Sequence, residues 1–242
     1  MKLINKRYKP RYKSFLRLRE NITGSKKIFR LRKKKWIRIY KRYMFYKRRI
    51  KLRNYNHKIS QLTRYVKRLR NNFRTELYNK QRINIFYGVL KEKYFKKILR
   101  NASSKSKILQ KSLFRNREDL FISYLESRVD SIILRSGFFL SFREIRQVLS
   151  NGHVSVNNQK ILTGNVIIKE GDIIRFSPPA RKRIQTNIKY WFAYRFLKTR
   201  PSYLEINFST LSIVLVSPIN INKIKHLFSF WLNLKTMFYR YS

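Results

Sequence analysis

The residues of this 242-residue chain that could do chemistry are mostly cations. Arg128, Arg135, Arg143, Arg146, Gln147, His153, Asn157 and Lys160 fall within one short stretch. Arginine forks suit phosphate oxygens, and Gln, Asn and His can hydrogen-bond ribose or base edges. The type of chemistry this set suggests is binding to a polyanion. Catalysis finds little support. His57, His153 and His226 stand in separate segments without carboxylates at ligand spacing, and there is no Cys. Neither a metal site nor a disulfide is expected. Thr23-Gly24-Ser25-Lys26 only echoes a phosphate loop, which also needs a glycine four residues earlier and a preceding strand. The few acids are too scattered for a general acid and base. No cofactor is expected.

Composition agrees with a binding role. There are 59 Lys and Arg against 11 Asp and Glu, a formal net charge of +48. Self-repulsion on that scale calls for a polyanionic partner, and phosphates gain affinity by releasing counterions. At 43% hydrophobic and 15% aromatic, the chain is also too apolar for a disordered tail. The longest apolar run, Leu211 to Val216, is far short of a membrane span. No membrane association is expected. The basic N-terminus lacks the apolar core of a secretory signal. Lys, Asn, Ile, Tyr and Phe are abundant and Ala occurs three times, a usage that points to an AT-rich, organellar gene.

The charge is unevenly placed. Residues 1 to 100 hold 36 basic and 3 acidic residues, while 125 to 176 hold seven and five. The nearly neutral stretch also has the most regular signals. Leu125, Val129, Ile132 and Ile133 suggest one helical face stopped by Gly137. Arg128 and Arg135 would then share a face two turns apart. Ser141 with Glu144 forms a capping box ahead of Ile145, Val148 and Leu149. His153 to Val156 alternates like a strand, Asn157-Asn158 suits a hairpin turn, and Lys160 to Leu162 is the return strand. Glu170-Gly171-Asp172 turns into Ile173 to Phe176. Internal ion pairing of Arg128 with Asp130 or Glu126 is the alternative to RNA contact, and Asp130 is expected to orient an arginine. For Arg143 and Arg146 the alternative is plain surface charge, and for His153 a satisfied turn histidine.

Around this module, Met1 to Lys27 is expected to be an extended arm, and Arg30 to Arg82 basic helices. Lys33, Lys34, Lys35, Arg48 and Arg49 there, with Arg181, Lys182 and Arg183 beyond the module, are expected to track phosphates. A helix follows Gly88, with Leu90, Tyr94, Phe95, Ile98 and Leu99 forming its apolar stripe. Asn101 to Ser106 reads as a polar break, and Ile108 to Phe121 as the next helix. Pro178-Pro179 breaks the chain, Tyr190 to Phe196 reads as helix, and Tyr203 to Phe208 with Leu211 to Val216 as a strand pair. Trp231, Leu232, Leu234 and Phe238 should pack back.

Glu126-x-Arg128-Val129-Asp130, Arg135-x-Gly137-Phe138, Arg146-Gln147, Gly152-His153-Val154-x-Val156-Asn157 and Lys169-x-Gly171-Asp172-x-Ile174 occur in that order without gaps. The set resembles the RNA-binding domain of the small-subunit ribosomal protein S-four family. Phe86-Tyr87-Gly88 and the following helix, Pro201-Ser202-Tyr203-Leu204-Glu205 and the ending Phe238 to Ser242 resemble its flanking segments. Arg7 to Leu18 and Lys33-Lys34-Lys35-Trp36 resemble mitochondrially encoded members. Departures are Phe142 for a usual Arg, Ile145 for Ala, Asn158 for Gly, and Gly164-Asn165-Val166 for Pro-Ser-Tyr.

The resemblance implies an α+β protein: a basic N-terminal arm with helices (1–81), a helical region (82–124), the compact module of two helices and a small sheet (125–176), and a basic, aromatic C-terminal segment (177–242) returning to the helical region. It implies no enzymatic activity. The expected role is structural, in the mitochondrial small ribosomal subunit. The partners would be a five-prime-domain junction of small-subunit rRNA, neighbouring small-subunit proteins near the mRNA entrance, and mRNA. An RNA-modifying enzyme of pseudouridine-synthase type with the same module would need clustered acids outside 125–176. A basic organellar nucleic-acid compactor would need no folded module.

Overall fold

A computed structural model describes residues 12–22, 28, 30–52, 72–109, 116–193, 201–219, 230, 234 and 238. They fall into two compact units, one within Met1–Phe86 and Phe228–Tyr239, the other within Tyr87–Leu227. Each is built around its own buried residues. The expectations for residues 53–71 and for His57, Phe196, His226, Trp231 and Leu232 lie outside the described residues. So do the side chains of Arg48 and Arg49.

In the first unit, α1 (Lys13–Leu18) stands where an extended arm was expected. Phe15, Leu18 and Ile22 recur at helical spacing and are buried, which favours the helix over an extended arm. It ends at Arg19, whose φ is 51°. The helices α2 (Lys34–Leu52) and α3 (Asn72–Phe86) follow. Arg82 on α3 grips Glu20 with two hydrogen bonds of 2.8 and 2.7 Å. Phe86 meets Phe230 edge-on at 5.5 Å, and Leu234 and Phe238 are buried.

The second unit holds α4 (Glu92–Leu109), α5 (Arg117–Glu126), α6 (Val129–Ser136) and α7 (Phe142–Ser150). The strands β1 (Val154–Val156), β2 (Gln159–Lys160) and β3 (Ile173–Phe176) follow, then α8 (Pro178–Ala193), β4 (Leu204–Asn207) and β5 (Ser212–Leu215). The five strands form one sheet in the order β2-β1-β3-β5-β4, and every pairing is antiparallel. The fold is thus mixed, with helices and a small antiparallel sheet.

Three local expectations are corrected. Asn101 to Ser106 does not break the helix, because α4 runs straight through it. Phe95, Ile98, Leu99, Ala102 and Ser106 keep one helical face buried, and the Ser106 hydroxyl donates to the Ser103 carbonyl at 2.8 Å. Its polar side chain is therefore satisfied without leaving the helix. Pro178-Pro179 does not break the chain either; it opens α8. Proline is suited to a first helical turn, where its missing N–H has no partner to lose. The Arg181 amide closes that turn on the Ser177 carbonyl at 3.0 Å. Finally, Leu125 and Val129 lie on different helices, since the chain is extended at Arg128 (φ −69°, ψ 141°). A β-bridge to Ile167 and the Val129 amide bound to the Val166 carbonyl at 2.9 Å hold it there.

Ile108 lies in the last turn of α4, and the next helix starts at Arg117 where one from Ile108 was expected; the return strand is Gln159–Lys160 where Lys160 to Leu162 was expected. Other local expectations agree with the structure. The Ser141 hydroxyl caps α7 by accepting from the Glu144 amide at 3.4 Å. The Glu144 carboxylate takes the Leu140 amide, one residue before the expected one. Asn157 and Asn158 have φ of 48° and 69°, the pair of positive values that a tight hairpin between β1 and β2 requires. The sheet continues beyond Phe176, because β5 pairs with β3 through Ile173–Val214 and Ile174–Ile213.

Candidate nucleic-acid interface

Two buried carboxylates organise the frame that would present a binding surface. Asp130 is fully buried in the first turn of α6. It accepts from Arg128 Nε at 2.9 Å and Nη2 at 2.6 Å, and from Arg146 Nη2 at 3.3 Å. The Arg128 side chain is 2% exposed, lies 5.0 Å from the centre of the Tyr94 ring, and keeps Nη1 without a hydrogen-bond partner. Charge neutralisation and ring stacking both hold it inside. Gly164 covers the pair closely, since a Cβ there would stand 3.0 Å from Asp130. In this chain, then, a glycine suits the loop where the resembling family has a larger residue.

The second carboxylate, Glu126, ends α5 and is fully buried. It accepts from Arg135 Nε at 2.9 Å and Nη2 at 2.7 Å, and from the hydroxyls of Tyr87 at 2.7 Å and Tyr203 at 3.3 Å. Burial, and next the nearby Glu126 charge, pushes both tyrosine hydroxyls well above their ordinary value of 10.0. Burial pulls Arg135 down, but Glu126 more than offsets it and the net shift is upward. Burial likewise raises Tyr94, although the nearby Arg128 opposes it.

Arg146 is a strut as well as a surface cation. Its guanidinium donates to the carbonyls of Gly88 and Tyr87 and lies 5.7 Å from the Phe142 ring. Gly88 has φ of 74°, and a Cβ there would stand 2.6 Å from Phe142 Cβ. Both strain and collision oppose any side chain. Gly88→Ala should therefore destabilise the protein by more than about 1 kcal/mol, read as a lowered urea midpoint with an unchanged slope.

The remaining candidates are placed as follows. Arg143 and Gln147 are exposed on one row of α7, four residues apart. Lys160 is exposed on β2. Asn157 is exposed, but its side chain receives the Ile173 amide at 3.0 Å and donates to Asp172 at 2.8 Å, which locks the hairpin. His153 is half-buried, and its Nδ1 shares a 2.9 Å hydrogen bond with the Ser177 hydroxyl. Arg181, Lys182 and Arg183 are exposed on the first turns of α8, with Arg183 2.9 Å from Glu144. Lys33, Lys34 and Lys35 are exposed at the start of α2. The structure thus brings Arg128, Arg135 and Arg146 onto internal carboxylates and carbonyls, and Arg143, Gln147 and Lys160 are exposed. Sequence reading missed Tyr87, Tyr203 and Glu126 as one cluster. The available signal was a carboxylate placed among apolar helix positions, which must find cations or hydroxyls.

Among the described residues, no helix is long and apolar enough to cross a membrane, and no group of three or more His, Cys, Asp or Glu could hold a metal. The family of S4 domains matches residues 127–174, from the Ser127 break to the middle of β3. Small ribosomal subunit protein uS4B of Clostridium acetobutylicum is 42% identical over 111 residues, 46% of this chain and 53% of that protein. The uS4 of Aquifex aeolicus is 35% identical over 105 residues, 43% and 46% of the two chains. That of Kosmotoga olearia is 34% identical over 133 residues, 55% and 59%. The chain spans about half the length of these curated relatives. Residues 127–174 thus match the S4 domain family, and the chain is similar to bacterial small ribosomal subunit proteins uS4.

Proposed function

We propose that the chain is a structural protein of a small ribosomal subunit, that it binds small-subunit rRNA, and that it does no catalysis. The observation that carries this reading is the S4 domain at 127–174, in a chain whose relatives bear the name of one ribosomal protein. The geometry supports a division of labour. Acids of the domain pair internally with Arg128, Arg135 and Arg146, so the frame is rigid. Arg143, Gln147 and Lys160 remain exposed on that frame to meet RNA. Folded RNA is recognised largely by shape and by ribose and phosphate contacts, and a rigid frame suits that task. The basic segments, with Lys33, Lys34, Lys35, Arg48, Arg49, Arg181, Lys182 and Arg183, add affinity that depends on salt.

The finer reading is a junction in the five-prime domain of the rRNA, with neighbouring small-subunit proteins and mRNA close to the mRNA entrance. It rests on the resemblance of residues 82–176. The mitochondrial setting rests on the amino-acid usage and on residues 7–18 and 33–36. The test compares two charge reversals in the full chain. Arg143→Glu with Lys160→Glu should lower the preference for small-subunit rRNA over an unrelated RNA by about tenfold, from a loss near 1.4 kcal/mol. Lys34→Glu with Lys35→Glu should weaken both RNAs alike. Equal loss of preference from the two pairs would remove the domain's role in choosing the site.

A further inference from the structure

The carboxylate of Glu144 serves two helices. Its Oε2 accepts from the Leu140 amide at 3.2 Å and so belongs to the entry of α7. Its Oε1 accepts from Arg183 Nε at 2.9 Å and from Asn187 Nδ2 at 3.4 Å, both on α8. Asn187 Nδ2 also donates to the Phe138 carbonyl at 3.0 Å, in the turn between α6 and α7. Arg183 and Asn187 stand four residues apart, hence on one face of α8. Ala180 and Ile184 of the same helix are buried. One carboxylate thus joins α8 to the first turn of α7, the turn that carries the exposed Arg143.

Stability is a poor reason for this contact. The Arg183 side chain is 48% exposed, and pairs so open to water hold a fold weakly. Capping is a poor reason too, because it needs only Oε2 and the Ser141 hydroxyl. Net attraction for RNA argues against an acid here, since a carboxylate next to Arg143 repels phosphate. What the carboxylate does achieve is orientation. It takes Arg183 through Nε and leaves both Nη groups out of the contact. A guanidinium fork already fixed in place loses less freedom when it meets a phosphate.

We infer that Glu144 is a positioning residue for RNA recognition. It locks α8 onto α7 and aims the Arg183 guanidinium, so that Arg143 and Arg183 meet RNA as one preformed surface. Its relevance to rRNA rests on the ribosomal reading above; the clasp itself rests on the hydrogen bonds.

The test uses the full chain, with a small-subunit rRNA transcript and an unrelated RNA duplex at one moderate salt concentration. Glu144→Ala removes a negative charge, and charge alone would tighten binding to both RNAs. Positioning predicts the opposite sign for the rRNA, a loss of about tenfold, with the duplex held as well as before or better. Arg183→Ala should lose a similar factor, and adding it to Glu144→Ala should cost less than about twofold more. Glu144→Gln keeps an acceptor for Arg183 Nε and should stay within about threefold of the parent. Ser141→Ala removes the α7 cap without touching α8, so it should lower the urea midpoint and leave the rRNA preference intact. Tighter or unchanged rRNA binding by Glu144→Ala overturns the inference. So do additive losses, a Glu144→Gln variant as weak as Glu144→Ala, or an equal loss of preference in Ser141→Ala. A parent chain without rRNA preference, in which Glu144→Ala still weakens both RNAs, would keep the clasp and sink the ribosomal reading instead.

Discussion

Asp130→Ala is expected to destabilise the protein by about 3–5 kcal/mol. Taking the carboxylate away leaves the Arg128 guanidinium in a site where its side chain is 2% exposed. Among the described residues no second acid is paired with it, and its Nη1 already lacks a partner. Tyr94 supplies a ring face at 5.0 Å, which is worth far less than a doubly bonded carboxylate. Arg146 loses one acceptor but keeps the carbonyls of Tyr87 and Gly88, and its side chain is 38% exposed, so it contributes little to the loss. A marginally stable domain has about 5–15 kcal/mol in total. The variant should therefore unfold at much lower urea. Asp130→Asn, which keeps an acceptor, should lose less. Glu205→Ala, an exposed carboxylate on β4, should stay within about 0.5 kcal/mol of the parent. If Asp130→Ala unfolds like Glu205→Ala, the buried pair does not hold the frame.

Glu126→Ala should cost a similar amount, again about 3–5 kcal/mol, for a different reason. One carboxylate accepts from a largely buried arginine and two tyrosine hydroxyls, so its loss removes an acceptor from three donors together. A double-mutant cycle with Arg135→Met should return a coupling on the order of 2–3 kcal/mol, because removing both charges avoids leaving one of them buried alone. The same cluster sets an alkaline limit. Tyr87 and Tyr203 have folded-state pKa values above the ordinary 10.0, so each keeps its proton where the unfolded chain gives it up. Their contribution is full below pH 10 and falls as the pH rises toward their folded values. Tyr203→Phe should make the decline above pH 10 shallower in a series of urea melts. An unaltered slope would mean that Tyr203 does not keep its proton in the folded protein.

How far the sequence could be read depended on the range of the interaction. The α7 cap, the Asn157-Asn158 turn and the β3 strand are set by residues within a few positions of each other, and each was legible. The break at Arg128 was not, because the forces that extend it come from Val166 and Ile167, almost forty residues away. Glu126 meets Tyr87 and Tyr203 from 39 and 77 residues off, and local spacing carries no trace of either contact. The arginines show the same limit. Their number in residues 125–176 predicted an RNA-facing cluster, but type alone does not separate an arginine that meets phosphate from one that neutralises a buried acid. The acids decided it: Glu126 and Asp130 sit at positions that the helices bury, and so they bind the nearest guanidinium groups. The polar stretch Asn101 to Ser106 misled for the opposite reason. Its small residues, Ala102 and Ser106, fit the packed face of α4 despite their average polarity.

The central claim is that this chain works as a small-subunit ribosomal protein, with the S4 domain choosing the site and basic segments holding it. The most direct measurement is sedimentation of the tagged full chain in its native complex at moderate salt, with the bound RNA identified. The account predicts that the chain travels with the small subunit and small-subunit rRNA, and that Arg143→Glu with Lys160→Glu shifts it toward free protein. A chain that sediments apart from the small subunit, or that binds all RNA alike, would contradict it.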